Sequence, residues 1–596
     1  MEKKAYGIWD IFLINFKSSP ICTIIIALKE VIGGIIPSIQ LLATAEFLDV
    51  AIEIVNGRYN IQEIFIPITW VVGLIGYTWI ANYIRRFADV RLENKLREEL
   101  RVSITEKRAT LKYKHVESQD SWDLIQRVSK TPEIFLRNAY VNILGMLSML
   151  IKVSGIMIIL ITQLWWAALA IGFMSIPLVI IAFKGGKKTY EANREVSKYI
   201  RKYEYLREVL TGRASVDERS LFGYTEEVSR KWAEQYEIAR KIQFKTDINV
   251  FIKMKLGSII TAAISILMVI VLIKPTIQGI ITVGMFISIV NSLFSLIQMM
   301  SWELSHYINE IAKIKEYLKD LSDFSRLEKS TGSLDNPSNW NIEVESIEFK
   351  NVYFKYPGTE KYILNGLSFK IENGIHYAFV GSNGAGKTTI TKLITGLYDE
   401  YEGEILVNSI DIKDYNQREL KSMFSVVYQD FAKYFVTFKD NIALGDINRI
   451  GTEEQRDRIE NAIKIMDLES AIEYLPKGIN TTLGKIKNDG QDLSGGQWQR
   501  IGMARSIMSS ASLKILDEPT AALDPISESR VYEDFEDISK NGTTIFISHR
   551  LGSTKLAKEI FVINEGVIAE KGSHEELMKL NGIYADMYES QRSWYL

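Results

Sequence analysis

Long apolar runs alternate with charged stretches through the first half of the chain, and short apolar runs bounded by glycine and proline fill the second. Six apolar runs reach the roughly 20 residues a helix needs to cross a bilayer, at 21–47, 64–84, 140–161, 165–183, 251–273 and 280–300. Only Thr162, Gln163 and Leu164 separate the third from the fourth, which predicts a tight reversal. The charged stretch that follows the second run, 85–100, has no Pro or Gly and predicts a helix continuing out of the bilayer. About 25 residues of such helix reach about 35–40 Å. The stretch 184–245 has the same charged character, so two helical stalks are expected, with short coupling segments at their tips near 117–124 and 212–222. A polar region with Gly and Pro, 324–345, reads as a linker, and short strand-like runs alternate with helical ones beyond it.

Charge fixes the orientation of the spans. The connection 49–63 carries only Arg58, the turn after the third span carries no Lys or Arg, and the connection after the fifth carries only Lys274. The stretches 85–130 and 184–245 are rich in both. Positive residues stay on the cytoplasmic side, so the N-terminus, both stalks and the C-terminal half are expected in the cytoplasm of a multi-pass cell-membrane protein. The 71 Lys and Arg against 73 Asp and Glu give a net charge of −2, which argues against a general nucleic-acid binder. The single cysteine, Cys22, excludes an intramolecular disulfide and a zinc cluster. No cleavable signal and no N-terminal cysteine-peptidase domain is expected ahead of the first span.

The candidate chemistry lies in the second half. Gly381-Ser382-Asn383-Gly384-Ala385-Gly386-Lys387-Thr388-Thr389 fits a phosphate-cradling P-loop between a strand and a helix. Its glycines let backbone N–H groups turn toward phosphate oxygens, and the helix N-terminus adds partial positive charge. Lys387 is placed to reach the β- and γ-phosphates, and the Thr388 hydroxyl to ligate Mg2+. Downstream come Leu493-Ser494-Gly495-Gly496-Gln497, then Leu513-Lys514-Ile515-Leu516-Asp517-Glu518-Pro519, then Asp524, and then a strand-like run ending in Ser548-His549.

In this order the motifs resemble the ATP-binding cassette (ABC) family over roughly 345–590, and six spans with stalks on the same chain resemble an ABC exporter half-transporter. The resemblance implies a multidomain membrane protein: a six-helix all-α transmembrane domain (1–323) with cytoplasmic stalks, the linker (324–345), and an α/β P-loop nucleotide-binding domain (346–596). It implies that Tyr356 stacks on adenine, with Tyr353 or Phe354 as the core aromatic beside it. Gln429 would reach Mg2+ and the attacking water, Asp517 the Mg2+ shell, and Glu518 would be the general base. His549 would contact the γ-phosphate, and Asp524 would belong to the same nucleotide site. Ser494 to Gln497 would close on ATP held by a second subunit, so a dimer is implied. A homodimer is the simplest reading, and a heterodimer the alternative. The implied cofactors are ATP and Mg2+.

Three features depart from the family pattern. Lys514 stands within an otherwise apolar strand, Lys485 stands where many exporters have Glu, and the stretch before the signature is long, with Asp489 as a substitute acid. That long stretch, Trp498, and Gln429 followed by Asp-Phe-Ala-Lys-Tyr resemble bacterial exporters of lantibiotic-type peptides.

A cargo cavity is expected where polar residues enter the spans. Ser288, Asn291, Ser295, Gln298 and Trp302 recur at steps of three and four and share one helix face. Lys29, Glu30 and Lys152 are charges within spans, where each costs roughly 2.5–3.5 kcal/mol unless it finds water or a partner. These residues either line the cavity or bond helix to helix. The function implied is ATP-driven export of an amphipathic cargo, a peptide before a drug or a lipid. A channel or sensor on the same scaffold is disfavoured because no catalytic residue is missing.

Overall fold

The computed structural model describes residues 3–299, 303–339, 342–485, 490–518, 542–548 and 553–593. The chain forms two compact units, 1–106 with 123–327, and 107–122 with 328–596.

The first unit is helical. Helix α1 (Ile8–Ser18) buries Ile11 and Asn15 and exposes Trp9, Leu13 and Phe16, the pattern of a helix lying along an apolar surface. Helices α2 (Pro20–Val55) and α3 (Phe65–Leu96) follow. The third helix continues through a π-turn at Arg97–Arg101 into Val102–Ala109. Among the described residues, three helical stretches are long and apolar enough to cross a membrane: Pro20–Val55, Ile61–Ala109 and Pro132–Gln163. The sixth expected span appears as a shorter apolar helix, Val283–Leu296. The fourth and fifth lie in helices many of whose side chains are outside the description. Large apolar side chains such as Trp70, Trp79 and Phe173 are well exposed, as lipid-facing residues must be.

Helical backbone runs from Pro132 to Thr211 (α4). Yet Gly145 lies against Tyr307, and Gly186 lies against Ile308 of the same later helix. Those glycines are 41 residues apart, and a straight helix would separate them by about 60 Å. The path therefore doubles back between them, in the region where the sequence predicts a reversal at Thr162 to Leu164. Helices Val216–Phe222 (α5), Thr225–Ile277 (α6), Val283–Gln298 (α7) and Leu304–Arg326 (α8) follow in the same unit.

Two buried carboxylates of this unit are paired. Glu30 is buried, with Lys29 Nζ 3.2 Å away and Arg85 Nε 3.4 Å away. Glu133, fully buried, accepts from Arg101 at 2.7 Å. Removing one member of such a pair leaves an uncompensated buried charge, a loss of about 3–5 kcal/mol.

The second unit contains two sheets. Strands β1 (Ser346–Phe354), β2 (Leu364–Glu372), β4 (Glu402–Val407) and β5 (Ile410–Asp411) form an antiparallel sheet in the order β2-β1-β4-β5. Strands β3 (His376–Val380), β6 (Phe424–Val427), β7 (Leu513–Asp517), β8 (Thr543–Ile547), β9 (Glu559–Asn564) and β10 (Val567–Gly572) form the other, in the order β10-β9-β3-β8-β7-β6. It is parallel from β9 to β6, with β10 antiparallel at its edge. Its inner strands are almost wholly buried, as parallel strands covered on both faces require. Lys514 is the exception in β7, where burial and the Arg458 charge push its ammonium below the ordinary value.

The segment 107–122 belongs to this second unit. Its short helix α9 (Tyr113–Glu117) lies between α3 and α4 in the chain. Lys112 pairs with Asp399 at 2.7 Å, Lys114 pairs with Glu400, and Leu111 bridges Lys329. The linker is strapped to the same unit, because Lys421 Nζ donates to the carbonyls of Ser333 at 2.6 Å and Asp335 at 2.7 Å.

The reversal inside α4 is open to a distance measurement. With Cys22 replaced by Ser, nitroxides at Leu147 and Lys187 should lie within about 30 Å of each other, against about 60 Å for an unbroken helix. Pulsed electron resonance distinguishes the two.

Candidate nucleotide site

The parallel register decides where the candidate residues meet. Ile547 pairs with Phe379 on one side and with Asp517 on the other, and Val427 pairs with Leu516. The C-terminal ends of β3, β8, β7 and β6 therefore lie side by side. The P-loop leaves β3, Asp517 and Glu518 leave β7, and Gln429 follows β6, so the crevice beyond these ends receives all of them.

A cleft of about 470 Å3 opens there, lined by Tyr356, Ile363, Asn383, Gly384, Gly386, Lys387, Thr388, Thr389, Gln429 and Glu518. The loop fits only glycine at its tightest points. At Gly381 a Cβ would stand 2.1 Å from the Ile563 carbonyl oxygen. Gly386 has φ of 109°, and its Cβ would meet Leu364 Cδ2 at 2.7 Å. Ser382 and Ala385 belong to the same turn, with Ala385 N–H donating to the Ser382 carbonyl at 3.2 Å. Helix α10 (Lys387–Ile394) begins at the end of the loop and aims its first N–H groups at the cleft's anion position. Lys387 Nζ donates to the carbonyls of Gly381 at 2.9 Å and Ser382 at 3.1 Å. Burial pushes its ammonium below the ordinary lysine value, opposed by Glu518 and Asp517.

The two carboxylates at the end of β7 differ in environment. Asp517 is buried, and neither carboxylate oxygen has a well-aligned hydrogen bond, the Thr388 hydroxyl acting on it only weakly. Burial pushes its pKa up to about 6 against the pull of the Thr388 hydroxyl, Lys387 and Lys392, and the Glu518 charge adds to the rise. Glu518 has φ of 49°, a left-handed conformation rare outside glycine. That turn re-aims its side chain into the cleft while its N–H still donates to the Ile547 carbonyl at 2.9 Å. Gln429 Nε2 donates to Glu518 Oε2 at 2.8 Å. The orphaned carboxylate of Asp517, with the Thr388 hydroxyl and the Gln429 amide, is the hard-oxygen donor set that suits Mg2+.

Tyr356 lies just beyond β1. Phe354 points into the core and Tyr353 outward, so Phe354 is the packed aromatic of the trio. The Tyr356 ring meets Phe354 and Tyr398 edge-on, and its hydroxyl bonds Thr389 Oγ1 at 2.9 Å.

The other candidates are elsewhere. Ser494 caps helix α11 (Gly495–Met508) and exchanges reciprocal bonds with Gln497 in a capping box. Neither they nor Gly495 and Gly496 line the cleft. Trp498 is a core residue, buried with its Nε1 on Asp492 at 2.9 Å. His549, Asp524 and Asp489 lie outside the described residues. Among the membrane candidates, Lys29 and Glu30 meet in the ion pair described above. Lys152 is half-buried on α4. Ser288 is buried with an unpartnered hydroxyl, Asn291 is exposed and Ser295 half-buried, while the Gln298 side chain and Trp302 are outside the description. Two apolar cavities of the helical unit, of about 540 and 740 Å3, are lined by none of these residues.

Sequence reasoning missed Ile363 in the cleft wall, and it missed the docking register. The docked residues are 112–117, a few positions before the expected 117–124, and their signal was the Lys-Tyr-Lys cluster ahead of that stretch.

Residues 364–521 match the ABC transporter family, and residues 23–301 match the ABC transporter transmembrane region. The chain belongs to the ABC transporter family. It is an exporter half-transporter, a membrane protein that hydrolyses ATP to drive transport. It is 29% identical to the subtilin transport ATP-binding protein SpaT of Bacillus subtilis, over 94% of this chain and 90% of that protein. The nisin transport ATP-binding protein NisT of Lactococcus lactis subsp. lactis is 26% identical over 90% of this chain and 88% of its own length. An ATP-dependent lipid A-core flippase of Shewanella frigidimarina is 29% identical over the same shares, 90% and 88%. The fold is that of a bacterial Atm1-family ABC exporter with ATP bound, at a TM-score of 0.70 and 23% identity, covering 95% of this chain and 98% of that one.

Replacing Gly386 with Ala in this transporter should cost about 1–3 kcal/mol of stability, because the new Cβ must be held in a left-handed conformation. Thermal unfolding and ATP binding, measured together, should both show the loss.

Proposed function

We propose that this transporter exports an amphipathic peptide from the cytosol, with ATP hydrolysed between two cassettes. The observation that carries the catalytic part is the pairing at the end of β7 of a sealed Asp517, without a well-aligned hydrogen bond, with a Glu518 turned into the cleft. The P-loop amides bind the ATP phosphates, Lys387 neutralises their charge, and Tyr356 presents its ring to adenine. Gln429 and Glu518 hold the attacking water, and Glu518 takes its proton at a carboxylate oxygen. Thr388, Gln429 and Asp517 would hold Mg2+, which supplies charge neutralisation for the phosphate oxygens. His549 and Asp524 lie outside the described residues, and the motif resemblance alone proposes them for the γ-phosphate and the nucleotide site.

The Ser494–Gln497 helix start stands apart from its own chain's cleft, which favours closure on a second subunit's ATP. A homodimer needs no further chain, and a heterodimer is the alternative. The N-terminus and cassette face the cytoplasm on the Lys/Arg bias.

A peptide cargo is favoured by the similarity to the subtilin and nisin transport proteins over nearly the whole chain. The similarity to a lipid A-core flippase supports a lipid as the second reading. Asn291 and Ser295 on α7, with Lys152 on α4 and Gln298, are the residues proposed to meet cargo, while the buried Ser288 and the paired Lys29 and Glu30 take the alternative role of bonding helix to helix.

The test is ATPase activity in lipid with a panel of leader-bearing peptides, drugs and lipids. A peptide should stimulate turnover, and Glu518→Gln should lower it about 10²–10⁴-fold, the share of a general base, while ATP still binds. Stimulation by lipids or drugs alone would replace the peptide reading. Full turnover in Glu518→Gln would remove Glu518 from its role.

A further inference from the structure

Lys392 is on α10, five residues beyond Lys387, and does not line the cleft. Its side chain is 15% exposed, and Nζ pairs with Glu117 Oε1 at 2.9 Å. The same ammonium lies 5.2 Å from the centroid of the Tyr113 ring and 5.2 Å from that of Tyr356. Tyr113 and Glu117 are the two ends of the docked helix Tyr113–Glu117. One cation is thus shared by that helix and by the aromatic residue in the cleft wall. The rings are also linked directly: Tyr398 meets Tyr113 edge-on at 5.5 Å and Tyr356 edge-on at 5.8 Å.

The other docking lysines lack this connection. Lys112 and Lys114 pair with Asp399 and Glu400, acids outside the cleft wall. Lys392 differs because a cation near an aromatic ring is attracted by its quadrupole, so ring orientation and ammonium position depend on each other. A base stacking on Tyr356 fixes that ring, and a fixed ring holds the ammonium toward Glu117 and Tyr113.

We propose that Lys392 is a positioning residue that ties the Tyr113–Glu117 helix to the Tyr356 ring, so that adenine occupancy and docking of that helix bias each other. The proposal rests on Tyr356 as the adenine platform. Because coupling between two binding events is reciprocal, altering the docked helix must change ATP affinity, although that helix does not line the nucleotide cleft. A lysine that merely fastens the helix would leave ATP affinity alone.

The test measures KM and kcat for ATP on the full-length transporter in lipid nanodiscs. Lys392→Met keeps the stem and removes the charge. It should raise KM about 3–10-fold, with kcat changed less than KM, and Lys392→Arg should restore it. Glu117→Gln should raise KM in the same direction, and the double variant should be no worse than Lys392→Met, since both break one network. Tyr356→Leu tests the platform separately and should raise KM. If it does while Lys392→Met and Glu117→Gln keep the wild-type KM, Lys392 is a docking contact and the proposal is overturned. If Tyr356→Leu leaves KM unchanged, the platform reading falls and the proposal with it. Should Lys392→Met not fold, Glu117→Gln decides alone, an unchanged KM again overturning the proposal.

Discussion

The parallel register of β3, β8, β7 and β6 is the constraint on which the nucleotide site depends. The P-loop, the two carboxylates and Gln429 are separated by up to about 140 residues of chain, and none approaches the others through local structure. Pairing Phe379 with Ile547 and Asp517 with Ile547 sets the strand ends level. A slip of one residue in β7 would exchange its two faces and withdraw Asp517 from the position where its bare carboxylate is useful.

Within that frame, neighbouring residues are driven to opposite states. Asp517 is sealed with no well-aligned hydrogen bond and only the Thr388 hydroxyl and the charges of Lys387 and Lys392 to offset its burial, a costly arrangement for a carboxylate in any protein that does not bring a stronger counter-charge to it. Glu518 takes a left-handed backbone that folding alone would not select. Local cost of this kind gathers where chemistry is done, and the apolar neighbours Ile515 and Leu516 pin the strand that bears it. In the helical unit the logic reverses: Glu30 and Glu133 are buried but paired, so charge there serves the packing of helices first.

Much of this was legible in the chain. The P-loop glycines, the strand ending in Asp517 and Glu518, and the capping sequence at Ser494 are local patterns whose geometry follows from their own residues. Tyr356 was marked only by the resemblance of its motif, and the strand pairing then separated Phe354 from Tyr353, which alternate along β1. The reversal near Thr162 was visible as a break between two apolar runs. The contacts of Lys392 were not legible, because they join residues 113, 117, 356 and 392 through tertiary packing, and nothing local to Lys392 or Tyr113 marks either of them. The burial of Ser288 beside an exposed Asn291 was hidden for the same reason: helical spacing gives a face, and neighbouring helices decide which part of it is covered.

The central claim is that hydrolysis at this site moves cargo in one direction. Sealed inside-out vesicles carrying the transporter, given ATP and a labelled leader-bearing peptide outside, test it most directly. The account predicts peptide accumulation against its gradient that requires ATP and is lost with Glu518→Gln. Peptide equilibrating across the membrane without ATP, or equally with the wild type and Glu518→Gln, would contradict it.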